Sequence, residues 1–170
     1  MSKSEKMVAL TVAVRGVFNR LKALSDTLHG DLEVTTAMRA VMETLSGSGA
    51  MTVPQIAKLK GVTRQHIQLL ADALVAAGLA TVKENPAHRR SSLIALTDKG
   101  KRAFAKMEAR EGPVIEELAE EFEAQALERA TAVLNRLAAR LESFRRARQR
   151  RHGARSRESG HSTERFWQAH

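Results

Sequence analysis

Two short segments with helical apolar spacing follow each other between Thr52 and Gly78, and a single glycine separates them. The first segment opens at Thr52 with Gln55 three residues later, which is the pattern of a capping box, and Pro54 lies in its first turn. Gly61 can adopt the left-handed conformation that ends a helix. The spacing therefore predicts a short helix, a tight turn and a second helix.

The second segment begins at Thr63, a residue type that caps helix N-termini well. Its apolar residues recur at helical spacing and predict a buried face made of Ile67, Leu70, Leu74 and Ala77. The opposite face carries Arg64, Gln65, Gln68 and Asp72. An ordinary solvated face has a similar composition, but Arg can bond guanine and Gln can bond adenine in a major groove. The order of helix, glycine turn and helix favours the DNA-reading interpretation.

The next stretch predicts a two-stranded β-wing. Residues 80–84 have strand composition with Val82 directed inward, and residues 92–96 form a second apolar strand. The turn between the strands carries Arg89 and Arg90. Arginines at such a tip suit the narrow, negative minor groove or the flanking phosphates, although a solubilising loop tip has the same composition.

Taken together, these pieces resemble the MarR family of bacterial transcriptional regulators. The resemblance runs from about Leu10 to Leu141, and its specificity lies in the order and spacing of the pieces. The matching pieces are Val34-Thr35, residues 52–57, residues 61–65, Gly78-Leu79, the wing from Asn85-Pro86 to Arg89-Arg90, and residues 96–100. The resemblance implies a homodimeric winged-helix protein that binds pseudo-palindromic operators. In many members a small anionic aromatic ligand, or oxidation of a cysteine, releases the DNA.

Three departures from the family pattern change the expected site. His88 stands where the family's wing usually has an acid that braces the arginine, so Arg90 loses that brace or keeps it only through protonation of the imidazole. Leu69 and Ala73 occupy positions of the second helix where the family often carries Arg or Lys, so phosphate contacts shift to the wing and to lysines of the first helix. The chain has no cysteine, which excludes a thiol-oxidation switch.

We expect double-stranded DNA to contact ten residues of the two helices and the wing. They are Thr52, Lys58, Lys60, Thr63, Arg64, Gln65, Gln68, His88, Arg89 and Arg90. By the resemblance, a small aromatic or phenolic ligand would bind between the winged module and the dimer layer. The candidates to line that pocket are Val14, Arg15, Phe18, Met38 and Met42. For each of these five taken alone, a plain core or surface role is more typical than ligand binding.

Long amphipathic helices flank the winged module. An apolar stripe predicts a helix over residues 5–28, and Thr35 caps another that ends near Leu45. A third helix is predicted from Asp98, with Gly112-Pro113 expected to kink or interrupt it. A last helix is predicted over residues 126–148. One winged module is too small to cover these stripes, so we expect two chains to exchange them, with a monomeric bundle as the alternative.

The predicted fold class is mainly α with a minor α+β character, a winged helix-turn-helix with long N- and C-terminal dimerisation helices. Residues 1–34 are predicted to be the N-terminal dimerisation helix and residues 35–100 the DNA-binding domain. Residues 101–148 are predicted to be the C-terminal dimerisation helices, and residues 149–170 a basic, flexible tail.

The net charge of +9 is unevenly distributed. Residues 140–170 hold 9 Lys and Arg against 3 Asp and Glu, whereas residues 1–139 hold 19 against 16. The basic excess therefore belongs mostly to the C-terminal tail and is no argument for the winged module. Such a tail is typically disordered, and it can also add phosphate contacts that do not depend on base sequence.

The sequence offers no enzyme or membrane signal. No apolar run approaches the roughly 20 residues of a membrane span, and residues 1–6 lack the apolar core of a signal peptide. There is no glycine-rich phosphate loop and no HExxH motif, and no two of the six histidines have helical ligand spacing. We therefore expect no catalytic site, cofactor or metal, and a cytoplasmic protein that is associated with the bacterial nucleoid when bound.

The predicted function is that of a sequence-specific transcriptional regulator, a repressor in the favoured interpretation. Its partners would be double-stranded DNA, a second copy of itself and a small aromatic ligand. The alternative is an architectural or low-specificity DNA-binding winged-helix protein without an effector. Binding to duplexes with and without the DNA upstream of its own gene distinguishes the two.

Overall fold

The computed structural model describes residues 1–88 and 90–167, and side chains as far as Arg148. The helices are α1 (Lys3–His29), α2 (Thr36–Ser48), α3 (Val53–Lys60), α4 (Arg64–Ala76), α5 (Asp98–Glu120) and α6 (Ala124–Trp167). The strands are β1 (Met51–Thr52), β2 (Ala80–Lys83) and β3 (Leu93–Leu96). A single 3-10 turn, Gly30–Leu32, follows α1. The chain forms two compact units, and the second begins at Leu118.

The structure confirms the predicted caps of the two short helices. The Thr52 hydroxyl accepts from the Gln55 backbone N–H, and the Gln55 side chain accepts from the Thr52 N–H at 2.8 Å. Gly61 ends α3 with φ at 68°, in the left-handed region. The Thr63 hydroxyl accepts from the His66 N–H at 3.2 Å. The helix-turn-helix prediction is confirmed at the level of its hydrogen bonds.

The sheet has three antiparallel strands in the order β1-β3-β2. In the wing, Val82 lies opposite Ile94, and on the far side of β3 Met51 also lies opposite Ile94. The prediction of two strands therefore missed β1. A two-residue strand is too short to show a period-2 pattern, so its sequence carries no local signal.

The core of the first unit fills the space between α2, the two short helices, the sheet and the start of α5. Its largest fully buried apolar side chains are Met42, Ile56, Ile67, Leu74, Met107 and Val41. Two expectations for this region were wrong. Val82 is 55% exposed, and Ala77 is exposed where a buried residue was expected. Both lie near the end of an element, where periodicity no longer determines burial.

Gly100, in the first turn of α5, lies directly against the backbone of Leu79. The Thr97 N–H donates to the Leu79 carbonyl oxygen at 3.0 Å, and the Gly100 N–H donates to the Thr97 hydroxyl at 3.0 Å. A Cβ atom at Gly100 would stand 1.9 Å from the same carbonyl oxygen. The approach of α5 to the β-wing therefore depends on the absence of a side chain at this position.

Helix α5 continues through Pro113, so Gly112-Pro113 does not interrupt it. A proline removes one helical N–H and clashes locally, but the turns on either side keep their own hydrogen bonds. The last helix likewise runs beyond the predicted end at Arg148. The side chains of the predicted basic tail, residues 149–170, lie outside the described part of the chain.

Charged pairs fasten the end of α1 to α5. Arg110 donates to both carboxylate oxygens of Asp31, at 2.5 and 2.8 Å, and to the Leu28 carbonyl oxygen at 2.7 Å. The hydrogen bonds from Arg110 hold the pKa of the Asp31 carboxyl well below its usual range. His29 is buried and bonds Glu111 at 2.8 Å through Nε2.

The remaining face of α1 is apolar and exposed within the single chain. Val17 is 56% exposed, Phe18 62% and Leu21 49%. Helix α6, in the second unit, shows the same property at Leu141 and Phe144. None of the helices, as far as the structure describes them, is long and apolar enough to cross a membrane.

Candidate nucleic-acid interface

Helix α4 is held so that its polar face points into solvent. Ile67, Ala71 and Leu74 are buried against the core and fix the rotation of the helix about its axis. The opposite face exposes Arg64, Gln65, Gln68 and Asp72, as the sequence predicted. Guanidinium and carboxamide groups at the start of a helix are the groups that read base edges in a major groove.

A groove runs between α4 and the wing. It is lined by Val53, Pro54, Arg64, Gln65, Gln68, Val82, Arg90, Ser91, Ser92 and Ile94. Four of the ten predicted DNA-binding residues therefore share one surface, three from the helix and Arg90 from the wing. Val82 lies on this surface, which explains why it is exposed and not part of the core.

The wing turn is shaped by its own backbone. The Ala87 N–H donates to the Asn85 side-chain oxygen at 3.2 Å, and the His88 N–H donates to the Asn85 carbonyl oxygen at 3.1 Å. The Ser91 N–H in turn donates to the His88 carbonyl oxygen at 2.9 Å. His88 is exposed at this turn. The predicted contact residue Arg89 lies outside the described residues.

The remaining predicted contacts differ in their surroundings. Lys58 is exposed, and Thr63 is exposed with its hydroxyl engaged as the α4 cap. Lys60 forms an ion pair with Glu43 at 3.3 Å. Thr52 is 7% exposed, and its hydroxyl donates to the Gln55 side chain at 2.8 Å. Thr52 therefore caps α3 and offers little surface for a DNA contact.

The structure also shows a pairing on α4 that the sequence analysis missed. Gln68 Nε2 donates to Asp72 Oδ1 at 2.8 Å. The spacing of four residues puts both side chains on one helix face, so the signal was present, but Asp72 was predicted only to lie on the exposed face.

A second cavity, of about 280 Å³, lies within the first unit between α1, α2 and α5. Its apolar lining includes Phe18, Leu21, Leu24 and Leu28, and its polar lining includes Arg39 and Glu111. Arg39 forms an ion pair with Glu111 and stands 5.6 Å from the centre of the Phe104 ring.

Of the five predicted effector residues, Phe18 lines this cavity. Met38 and Met42 are buried in the core of the first unit. Val14 and Arg15 lie on exposed positions of α1 outside the lining of the cavity. Neither Arg39 nor Glu111 was among the predicted residues. These residues are 72 positions apart in the chain, so no local spacing connects them.

Sequence relatives cover part of the chain. No protein-family model matches the chain. The uncharacterised proteins Rv2011c of Mycobacterium tuberculosis and Mb2034c of Mycobacterium bovis are each 40% identical to it over 96 residues, which is 56% of this chain and 67% of theirs.

Among solved structures, MarR family transcription regulator SP03579 is 25% identical, with a TM-score of 0.70, over 82% of this chain and 94% of its own. A mutant MarR from E. coli, complexed with operator DNA, has a TM-score of 0.69 at 19% identity and covers 81% of this chain and 99% of its own.

A helix-turn-helix followed by a β-wing and framed by long helices defines a winged-helix protein, and the exposed polar face of α4 is the surface such proteins use. The predicted fold class is thereby confirmed. The chain has the fold of MarR family transcription regulators. The structural neighbour SP03579 is itself a transcription regulator.

Proposed function

We propose that the chain is a homodimeric transcriptional repressor that binds a pseudo-palindromic operator with α4 in the major groove. The observation that carries this proposal is the groove in which Arg64, Gln65 and Gln68 of α4 lie beside Arg90 of the wing. The three α4 side chains supply donors for guanine and both a donor and an acceptor for adenine. Such a protein acts on the chromosome, so we place it in the cytoplasm, associated with the nucleoid when bound.

The wing and α3 would supply phosphate contacts. Arg90 lines the groove, and Lys58 is exposed on the adjacent short helix. We assign Arg89 to the same role because it directly precedes Arg90 in the sequence. Positive groups outside the base-reading helix anchor a protein on the duplex without reading its sequence.

The proposed dimer follows from the unpaired apolar faces. Large apolar side chains of α1, including Val17 and Phe18, are more than half exposed in one chain, and so are Leu141 and Phe144 of α6. Covering them with a second copy removes that area from water, and a two-fold axis relates the two α4 helices to successive half-sites. Residues 1–34 and 101–148 would form this dimer layer. The E. coli MarR complex with operator DNA has the same fold, which supports the DNA-binding part of the proposal.

We expect Arg64→Ala and Arg90→Ala to weaken DNA binding in different ways. Arg64→Ala should relax the base preference at one position in each half-site, by about 1–3 kcal/mol, because a bidentate base contact is lost. Arg90→Ala should weaken all duplexes alike and lower the salt slope by about one, because a phosphate contact is lost. Selection of bound sites from random duplexes, followed by titrations over a salt series, measures both effects.

Arg102→Ala is the matched control for this experiment. Arg102 is an exposed arginine of α5 outside the groove, so its removal takes away the same charge without a groove contact. If the wild-type protein selects no preferred sequence and binds all duplexes equally, the repressor proposal is wrong and the architectural alternative holds. If Arg90→Ala behaves like Arg102→Ala, the assignment of the wing to the phosphates is wrong.

We further propose that a small aromatic anion releases the operator by binding in the cavity between α1, α2 and α5. The cavity offers the aromatic ring of Phe18, aliphatic side chains and the guanidinium of Arg39. An aromatic carboxylate would compete with Glu111 for Arg39 while its ring fills the apolar part. Release requires that the ligand bind the state that cannot hold DNA more tightly than the state that can.

Filling this cavity should weaken the response to such a ligand, for which benzoate serves as the probe. Ala40 lines the cavity, so Ala40→Leu would occupy part of it, and we expect the benzoate concentration for half-release of the operator to rise by about tenfold. Ala9→Leu adds the same atoms at an exposed position of α1 and is the control. Acetate, which lacks the ring, should not release DNA. Equal benzoate responses in the two variants would show that the ligand does not act through this cavity.

A further inference from the structure

The side chains of Gln68 and Asp72 form a hydrogen-bonded pair on the face of α4 that we propose meets DNA. Gln68 Nε2 donates to Asp72 Oδ1 at 2.8 Å, and both side chains are exposed. Gln68 also lines the groove between α4 and the wing. A carboxylate on this face repels the phosphates of a duplex, so Asp72 lowers the affinity for DNA of every sequence.

The chemistry of the pair fixes which way the Gln68 amide is turned. An ionised carboxylate only accepts hydrogen bonds, so the end of the amide that faces Asp72 must be the NH₂ group. The Oε1 atom of Gln68 therefore points away from Asp72, and one N–H of Nε2 remains free. Without Asp72, the amide of an exposed glutamine can turn over and present its two ends in either order.

We propose that Asp72 is a positioning residue that holds the Gln68 amide in the orientation that selects adenine. This inference rests on the proposed DNA-binding function. Adenine presents an N6–H donor and the N7 acceptor in the major groove, which match the fixed Oε1 and the free N–H of Gln68. Guanine presents two acceptors there, so the fixed Oε1 would face the O6 atom of guanine without a hydrogen bond between them.

The proposal requires two effects of opposite sign when Asp72 is removed. Affinity for all duplexes should rise, because a negative charge near the phosphates is lost. Discrimination between adenine and guanine should fall, because the Gln68 amide is free to turn over. A residue that only stabilises the helix would change the melting temperature and leave the base preference unchanged.

The test compares Asp72→Ala, Asp72→Asn, Gln68→Ala and the double alanine variant as full-length proteins. Gln68→Ala identifies the base position that Gln68 reads in duplexes selected by the wild type. Matched duplexes with adenine or guanine at that position are then titrated with each variant. We expect the wild type to prefer adenine by about tenfold or more, and Asp72→Ala by about threefold or less, with tighter binding to both duplexes.

The other two variants test the carboxylate and its coupling to Gln68. Asp72→Asn removes the charge and can either accept from or donate to the Gln68 amide, so it should bind all duplexes more tightly and, like Asp72→Ala, lose much of the adenine preference. In the Gln68→Ala background, Asp72→Ala should cause no further loss of preference, because the two residues act on one contact. Asp72→Ser also removes the carboxylate and gives a second, independent test of the result expected for Asp72→Ala.

Three outcomes overturn the inference. An unchanged adenine preference in Asp72→Ala and Asp72→Ser would show that the amide needs no partner, and the repressor proposal would stand. A changed preference at a base position other than that of Gln68 would make Asp72 a direct reader. A wild-type protein without any base preference would remove the proposed function, and the inference with it.

Discussion

Replacing Gly100 with alanine is expected to lower the free energy of unfolding of the winged domain by about 3 kcal/mol or more, which is enough to unfold a marginally stable protein. The added Cβ would stand 1.9 Å from the Leu79 carbonyl oxygen. That oxygen cannot easily move, because it accepts the Thr97 N–H and belongs to the segment between α4 and β2. Helix α5 would have to shift away from the sheet, and Phe104 and Met107 would leave the core with it.

Gly47→Ala is the matched control for this prediction. A Cβ at Gly47 would meet no atom within 4 Å, and the residue lies inside α2. Alanine should therefore leave the stability unchanged or raise it by up to about 1 kcal/mol, since alanine favours helix over glycine. Urea unfolding followed by circular dichroism measures both variants. Equal stability of Gly100→Ala and the wild type would show that α5 does not pack against Leu79 as described.

Placing two glutamates on the apolar face of α1 is expected to separate the proposed dimer. Val17 and Leu21 are four residues apart on one face of the helix and are about half exposed in a single chain. Val17→Glu with Leu21→Glu would put four like charges across a two-fold interface and remove apolar contacts. Operator affinity should fall by about a hundredfold or more, because two separate monomers lose the effective concentration that a linked pair provides.

Asn19→Glu with Ala23→Glu is the control for the dimer prediction. Asn19 and Ala23 are also four residues apart and exposed, but they lie on a different face of α1 from Val17 and Leu21. The control should remain a dimer in sedimentation at micromolar concentration, whereas the apolar-face variant should sediment as a monomer with its helical spectrum retained. A dimer of unchanged stability in the Val17 and Leu21 variant would place the interface elsewhere.

The parts of the fold that were predictable are those with local signals. Thr52, Gly61 and Thr63 determine where helices begin and end through contacts within a few residues, and the structure confirms each one. The exposed face of α4 followed from helical spacing alone. Strand β1 and the exposure of Val82 could not be predicted from local signals, because both depend on which residues of β3 and α4 lie nearby in space.

The polar lining of the cavity was outside the reach of sequence reasoning for the same reason. Arg39 and Glu111 line the cavity, and His29 lies outside the lining but bonds Glu111. The three residues belong to three different helices, and their pairing depends on how those helices pack. The Gln68–Asp72 pair is a different case, since its spacing of four residues was visible. Its significance depends on the groove beside it, which only the packing of the wing against α4 defines.

The sharing of Glu111 between His29 and Arg39 has a consequence for how related sequences can diverge. Loss of the Glu111 carboxylate alone would leave a buried imidazole and a largely buried guanidinium without their acceptor, at a cost of several kcal/mol. Substitutions at the three positions should therefore accumulate together or not at all. In an alignment of relatives, these three columns are expected to vary as one group.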